Sequence, residues 1–374
     1  MTTFVDTSVL LTGQQAEDQD PVVVIVRSAQ TMLREGLGES GSEIFEKKFA
    51  ENYSSKNFSA IFDLLMGNAV VIFKKVAAAE DVDRVSKTAE GYFEVCLSLL
   101  SKLESVEDVV SRIDAFIATV TAEGSVPLLR LKLLTTLFQT LSPKAQLRLV
   151  VVKGMAKFAV GDEKLSALVF ALVRDCDKWI VDFDWELSEE EKMAVFTLIA
   201  SIAVGSEKLR FLRLAANTPA LVEALALAAL RDDSAVHLDA LVSVVGASGV
   251  AGECIKCMST GDFEKVEKFV ASNAKFFESQ KISVESVLAR SRVVALAKLA
   301  EASLAKRESA VALSVVAQNL KTNDATTVVL RAVQAGLLIG SVDEVAGCVR
   351  IAAVASVDAS ATIKADLKRV LAAI

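Results

Sequence analysis

The sequence predicts a mainly α chain: an irregular helical-repeat stack, then a winged helix with a small β-hairpin, then one terminal helix. Three observations carry that reading. Apolar residues recur at helical spacing from about residue 42 to 308, in segments separated by short polar breaks. Only 4 Pro and 17 Gly interrupt the 374 residues, so long helices meet few breakers. Between residues 309 and 351 the apolar period changes from helical to alternating, which marks a switch to strands.

Residues 1–20 are polar and acidic around QQAEDQD and read as a mobile tail ending at Pro21. VVVIV (22–26) is strand-like in composition, yet SAQTMLREGL continues it at helical spacing, so a helix is expected there. Residues 21–125 form an N-terminal helical region and 126–308 the helical-repeat part. Breaks at 53–57, 79–83, 105–108, 123–126, 161–164 and 182–190 are short enough to join antiparallel neighbours. Ser142-Pro143 offers a hydroxyl N-cap followed by Pro at the first helical position. Ser188 to Glu191 has the form of a capping box. Leu128, Leu131, Leu134, Phe138 and Leu141 make one apolar face, and Leu129, Leu133 and Leu137 a second. A helix apolar on two sides is sandwiched between neighbours, as in a stack of helical hairpins.

In 309–353, SAVALSVVAQNL places Ala312, Val316 and Leu320 on one helix face with Leu313 and Ala317 beside them. A turn at 321–324 leads to a second helix, ATTVVLRAVQAG, with Val328, Val329, Ala332 and Val333 inward and Gly336 just past its end. GLLIGSVDEVAGCVRI then alternates, with Val349 and Ile351 opposite Cys348 and Arg350, and Ala346-Gly347 fits a tight turn. Residues 354–374 end in a helix, ATIKADLKRVLAAI, capped by Ser360, on which Ile363, Leu367, Val370 and Leu371 share one face.

Composition narrows the function. The mean hydropathy of +0.44 is high, but neither 64–73 nor 219–230 approaches the roughly 18 apolar residues that a spanning helix needs. The excess apolar surface is expected inside the fold and against other subunits, and no membrane contact is expected. MTTFVDTS has no basic stretch before an apolar one, so no signal peptide is expected. Five cysteines, an odd number, fit free thiols in a reducing compartment and a cytoplasmic protein. A net charge of -7 opposes general nucleic-acid binding.

The chemical motifs are weak. Gly36 to Gly41 matches GxGxxG but is separated from Val26 by nine residues with no βα alternation, so it reads as a flexible linker rather than a phosphate loop. Cys254-Ile255-Lys256-Cys257 lacks further Cys or His at zinc spacing and reads as buried free thiols. His237 is the single histidine, which removes multi-His metal sites and His-based triads. It lies with Asp232, Asp233 and Asp239 in what reads as a solvated loop, and Asp182 and Asp184 read as surface. No catalytic residue, cofactor or metal is expected. A DNA-reading role for the winged segment also fails on charge. Lys321, Arg331 and Arg350 balance Asp324, Asp343 and Glu344, and the second helix offers only Thr326, Thr327, Arg331 and Gln334 as polar contacts. An unpaired hairpin edge and an apolar surface suit protein partners better.

Arg292 to Leu299 (RVVALAKL) followed by GLLIGSVDEVAGCVRI resembles the PCI domain of proteasome-lid, COP9 signalosome and translation initiation factor three subunits. Gly336, Leu338, Gly340, Val342 and Asp343 stand at the places of that family's wing signature, with Val342 where Ile is usual. Upstream, Arg130 to Leu134 with Leu137 and Phe138, then Lys178-Trp179-Ile180, Asp182, Trp185 and Ser188 to Lys192, resemble the initiation factor three branch, as does Phe4-Val5-Asp6. The resemblance implies a non-catalytic scaffold in translation initiation, partnered by other PCI-domain and MPN-domain subunits and meeting the 40S ribosomal subunit through the complex. A lid or signalosome subunit and a nucleic-acid-binding PCI adaptor are the alternatives. It also implies partner contacts at Leu338, Val342, Asp343, Val349 and Ile351 of the wing, and at Ile363, Leu367, Val370 and Leu371 of the last helix.

Overall fold

The computed structural model describes residues 21–246 and 249–354, most of them helical. The expected N-terminal tail and terminal helix, with Ile363, Leu367, Val370 and Leu371, lie outside the described residues. The chain divides into two compact units, one up to Glu191 and one from Lys192.

The first unit opens with α1 (Pro21–Ser54), which contains VVVIV as expected. Its one non-helical residue is Gly38, at φ 76° and ψ 173°. The Gly36 to Gly41 segment, expected as a linker, is therefore helical on both sides of a kink, at a φ that glycine tolerates because it has no Cβ. Next come α2 (Phe58–Gly67), α3 (Ala69–Ala78), α4 (Val82–Leu100) and α5 (Val106–Thr121). The polar breaks supply the caps: Asn57, Asp81 and Ser105 accept from the backbone N–H three residues on, so each break also starts a helix. The inward faces meet in an aromatic cluster of Phe73, Tyr92, Phe93 and Phe116, all fully buried. The Phe73 and Phe93 rings stack at 5.1 Å. The buried Tyr92 hydroxyl donates to the Leu65 carbonyl at 2.6 Å, which satisfies its one donor.

The helix α6 (Pro127–Thr140) packs on α4 and α5 and on α7 (Leu147–Ala159). It buries Leu129, Leu131, Leu133, Leu134 and Leu137, as expected of a sandwiched helix, while Leu128 is 64% exposed. Two further short helices, α8 (Glu163–Val173) and α9 (Cys176–Asp182), follow. Ser142-Pro143 starts no helix. The Ser142 carbonyl accepts from Ala145 N at 2.8 Å in a turn, and α7 begins only at Leu147. Residues some forty positions away hold that turn: Trp185 Nε1 donates to the Pro143 carbonyl at 3.2 Å, and Gln146 donates to the Glu186 carbonyl at 2.9 Å. Such non-local bonds override a local capping signal. The capping box does form. Glu191 N donates to Ser188 Oγ at 3.2 Å and Ser188 N to the Glu191 carboxylate at 2.9 Å, opening α10 (Glu189–Ile202).

The second unit continues with α11 (Gly205–Ala215), α12 (Pro219–Arg231), α13 (Asp239–Val245), α14 (Gly249–Ser259), α15 (Phe263–Ser272) and α16 (Ala274–Ser279). Consecutive helices pack on one another, and α14 and α15 also pack on the long α17 (Val284–Ala305). From Val293 to Ala297 every residue of α17 is buried, so it runs through the unit as an internal axis. After it come β1 (Ala310–Ala312), α18 (Leu313–Asn319), α19 (Ala325–Gln334), β2 (Leu338–Asp343) and β3 (Cys348–Val354). The strands form an antiparallel sheet in the order β1-β3-β2. The order strand, helix, helix, hairpin is consistent with the expected winged helix at the end of a helical stack. One element differs: residues 310–312 of the expected 309–320 helix are a strand, with Val311 opposite Val349.

Candidate functional site

Sequence reasoning points to the wing, and the structure shows how these residues build it. At the base, Arg292 stacks over the Phe263 ring at 4.7 Å and donates from Nε to the Leu320 carbonyl at 3.1 Å. This ties the end of α18 to α17. Asp324 caps α19 by accepting from Thr327 N at 2.9 Å, and the bond from the Thr327 hydroxyl helps hold its carboxyl below the usual range. Gly336, at φ 70°, turns the chain from α19 into β2.

Two signature residues have local structural jobs. A Cβ on Gly340 would lie 2.3 Å from the Arg350 carbonyl oxygen, and the register shifts between Ile339 and Gly340. Glycine is required there because a backbone atom occupies the space that a side chain would need. Asp343 accepts from Ala346 N at 2.9 Å and from Arg350 Nη2 at 2.6 Å. The Ala346 bond first, and the Arg350 bond next, lower its pKa. The loop it closes spans 344–347, wider than the tight turn expected at Ala346-Gly347, and Gly347 ends it at φ 63°.

Burial sorts the expected partner residues. Leu338, Val349 and Ile351 are buried, so their side chains pack into the unit's own interior. Alternation correctly put Val349 and Ile351 on one face; that face is the inner one. Val342 and Asp343 are half-buried. The exposed large apolar residues are others: Val315 on α18, Leu330 on α19, Ile339 on β2 at 61%, and Val345 at the loop tip at 102%. The bulge beside Ile339 disturbs the alternation that would have flagged it. No local signal marks Val345.

The remaining candidates stay apart. Lys321 pairs with Glu267 at 2.7 Å and Arg350 with Asp343, so two of the three cations in 309–353 are already engaged. On the loop around residue 235 His237 and Asp233 are exposed and Asp232 half-buried, Asp239 is exposed at the start of α13, and Asp182 and Asp184 are exposed. Cys254 is buried, and burial pushes its thiol up to about 12. Cys257 departs from the expected buried pair and is half-exposed. Among the described residues no group of three or more His, Cys, Asp or Glu is placed to hold a metal ion. No helix among them is long and apolar enough to cross a membrane.

The upstream residues singled out by the sequence do converge. Phe138 of α6 meets Trp179 of α9 at 5.5 Å between ring centroids, and Arg148 lies over the Phe138 ring at 4.6 Å. Arg130, only 4% exposed, donates to the carbonyls of Val120 and Ala122 at 2.8 Å and of Ser125 at 2.7 Å, and sits 4.1 Å over Phe73. Arg290 of α17, equally buried, donates to the carbonyls of Ala229, Leu230 and Asp232. Each closes the C-terminal end of a helix whose last carbonyls lack intrahelical donors. Sequence reading missed this role; the one available signal was an arginine inside a helix apolar on two sides.

Fold and site together define a helical-repeat chain ending in a small winged unit. No family model matches it. Over 337 residues, 81% of this chain and 80% of the relative, it is 23% identical to eukaryotic translation initiation factor 3 subunit M of Dictyostelium discoideum. The chain is thus distantly similar, along most of its length, to a subunit of a translation initiation factor complex.

Proposed function

We infer that this chain is a non-catalytic scaffold subunit of PCI architecture in eukaryotic translation initiation factor three, cytoplasmic, and in contact with the 40S ribosomal subunit through the complex. The observation that carries the reading is the reach of the likeness to initiation factor 3 subunit M, which covers four-fifths of both chains. The winged unit supports it by chemistry: its cations are largely paired internally, while Ile339 and Val345 present apolar surface. Partner contact on the wing then falls on Ile339, Val342, Asp343 and Val345, along the outer edge of β2, which pairs only with β3 among the described strands. The occupants of that edge are other PCI-domain or MPN-domain subunits.

Affinity capture of the tagged full-length chain from its own cells, followed by mass spectrometry, tests this. Initiation factor three subunits are expected in stoichiometric amounts. Recovery of proteasome-lid or signalosome subunits without them would overturn the assignment while leaving a scaffold role. Binding to RNA that weakens steeply with salt would favour the nucleic-acid adaptor instead.

A further inference from the structure

The second unit holds a cleft of about 590 Å³ beside the winged part. Its floor is a stripe of α17, Ser286, Ala289 and Val293, three and four residues apart, with Val236 from the loop after α12. From Ser283, which also lines it, to Val293 the helix rises about 15 Å. An extended chain covers that length in about four or five residues.

The charges of the cleft sort into a pair that is spent and two that remain. Arg290 lines it beside Asp233, but its Nη atoms donate to the carbonyls of Ala229, Leu230, Asp232 and Ala235, and Asp233 is near enough to offset its charge. Asp233 in turn accepts from the Ser286 hydroxyl. Glu285 and Arg331 are exposed and, among the described residues, make no hydrogen bond or ion pair. Arg331 attracts Asp324 from further off, and that carboxylate is already bonded to Thr327. Arg331 borders Ala289 and Arg292. Its guanidinium therefore lies four to seven residues along α17 from Glu285, about 6–10 Å at the helical rise. On an extended chain, residues two apart are separated by about 7 Å and residues three apart by about 10 Å. Groups for a peptide backbone line the same cleft. The Gln334 carboxamide is exposed, and the Ser283 hydroxyl, whose oxygen accepts from Ser286 N at 3.2 Å, keeps its proton to donate.

We propose that this cleft docks an extended segment of a partner protein. A basic residue of that segment meets Glu285, an acidic residue two or three positions away meets Arg331, and an apolar side chain between them rests on Ala289 and Val293. Charge complementarity at the two ends fixes the spacing, and the apolar floor supplies the burial. This goes beyond the scaffold reading by adding a contact away from the β2 edge, and it holds whichever complex the chain joins.

Fluorescence polarisation of the end-blocked, dye-labelled peptide Lys-Leu-Ala-Asp on the full-length chain tests it. That peptide is expected to bind about tenfold more tightly than Lys-Leu-Ala-Lys or Asp-Leu-Ala-Asp. Arg331→Glu is expected to turn the preference to Lys-Leu-Ala-Lys, and Glu285→Lys to Asp-Leu-Ala-Asp. Both side chains are exposed, so neither variant disturbs the core, which circular dichroism checks. Equal binding of the three peptides, no binding at about 1 mM peptide, or an unchanged preference in either variant overturns the proposal. So does binding that is lost as protein concentration rises, which assigns the cleft to a second copy. Because no other subunit is present, each failure leaves the affinity-capture result standing.

Discussion

Arg130 in the first unit and Arg290 in the second perform the same operation in different surroundings. Arg130 reaches back only to residues 120–125, within one helical hairpin, and rests on the face of Phe73. Arg290 reaches across some sixty residues of sequence to the end of α12, and Asp232 and Asp233 lie near enough to favour its charge. Burial lowers the pKa of both, yet an arginine stays charged throughout the ordinary pH range. In both units a planar cation supplies donors to several carbonyls at once. The first unit shields it with an aromatic ring, and the second offsets it with carboxylates.

Removing either lock gives the largest expected effect. Arg130→Ala and Arg290→Ala should each cost about 3–5 kcal/mol, because several buried carbonyls lose their donors together. Both tryptophans, Trp179 and Trp185, lie in the first unit. In urea titrations, Arg130→Ala should therefore move the tryptophan fluorescence transition, whereas Arg290→Ala should move mainly the circular dichroism. A common shift in both signals would show that the units unfold as one.

Next come two tight glycines. Gly340→Ala drives a Cβ against a backbone carbonyl and should cost about 2–4 kcal/mol, confined to the second unit. Gly154→Ala in the first unit meets Ile117 Cγ2 at 2.6 Å, but a side chain can turn aside, so about 1–2 kcal/mol is expected. Equal losses by denaturation would break the contrast between sheet and helix packing.

Acid should separate the units by sign. In the second unit Asp324, Asp343 and Glu264 have lowered pKa values, through hydrogen bonds first and nearby cations next. Their stabilisation is present above the unfolded carboxylate range near pH 4 and is lost as pH falls through the lower folded values. In the first unit the Ser188 bonds lower Glu191 likewise, but Glu94 is raised, by desolvation first and by Glu90 next. Protonation of Glu94 as pH falls relieves an unfavourable charge. Between pH 6 and 3 the circular dichroism transition should move to lower urea further than the fluorescence transition. The smallest effect is expected at Val345→Ala: stability within about 0.5 kcal/mol, with reduced recovery of partners in affinity capture. Full recovery would remove the loop tip from the interface.

Much of the fold was legible because its signals are local. Ser188 to Glu191, the polar breaks, Gly336, and the alternation of Val349 and Ile351 depend on residues a few positions apart. The misses depend on distant partners. Residues 310–312 are a strand because β3 pairs with them, and Ser142-Pro143 stays a turn because Trp185 and Glu186 hold it there. Alternation tells which wing residues share a face but not which face is inward, so three buried residues were expected at a partner surface. Position in a helix likewise cannot show that Arg130 and Arg290 turn inward.

The strand order carries a consequence for synthesis. β1 is made early, yet its sheet partner β3 follows about forty residues later: Ala310 lies opposite Arg350, and Ile351 N donates to the Ser309 carbonyl at 2.7 Å. At about 5–20 residues per second, a nascent chain presents β1 and the inner faces of α18 and α19 for roughly 2–8 s before β3 exists. The sheet cannot close hairpin by hairpin as it emerges, since the strand that joins its two edges comes last. Slowed or interrupted translation between residues 313 and 348 therefore prolongs the period in which this unit most needs a chaperone.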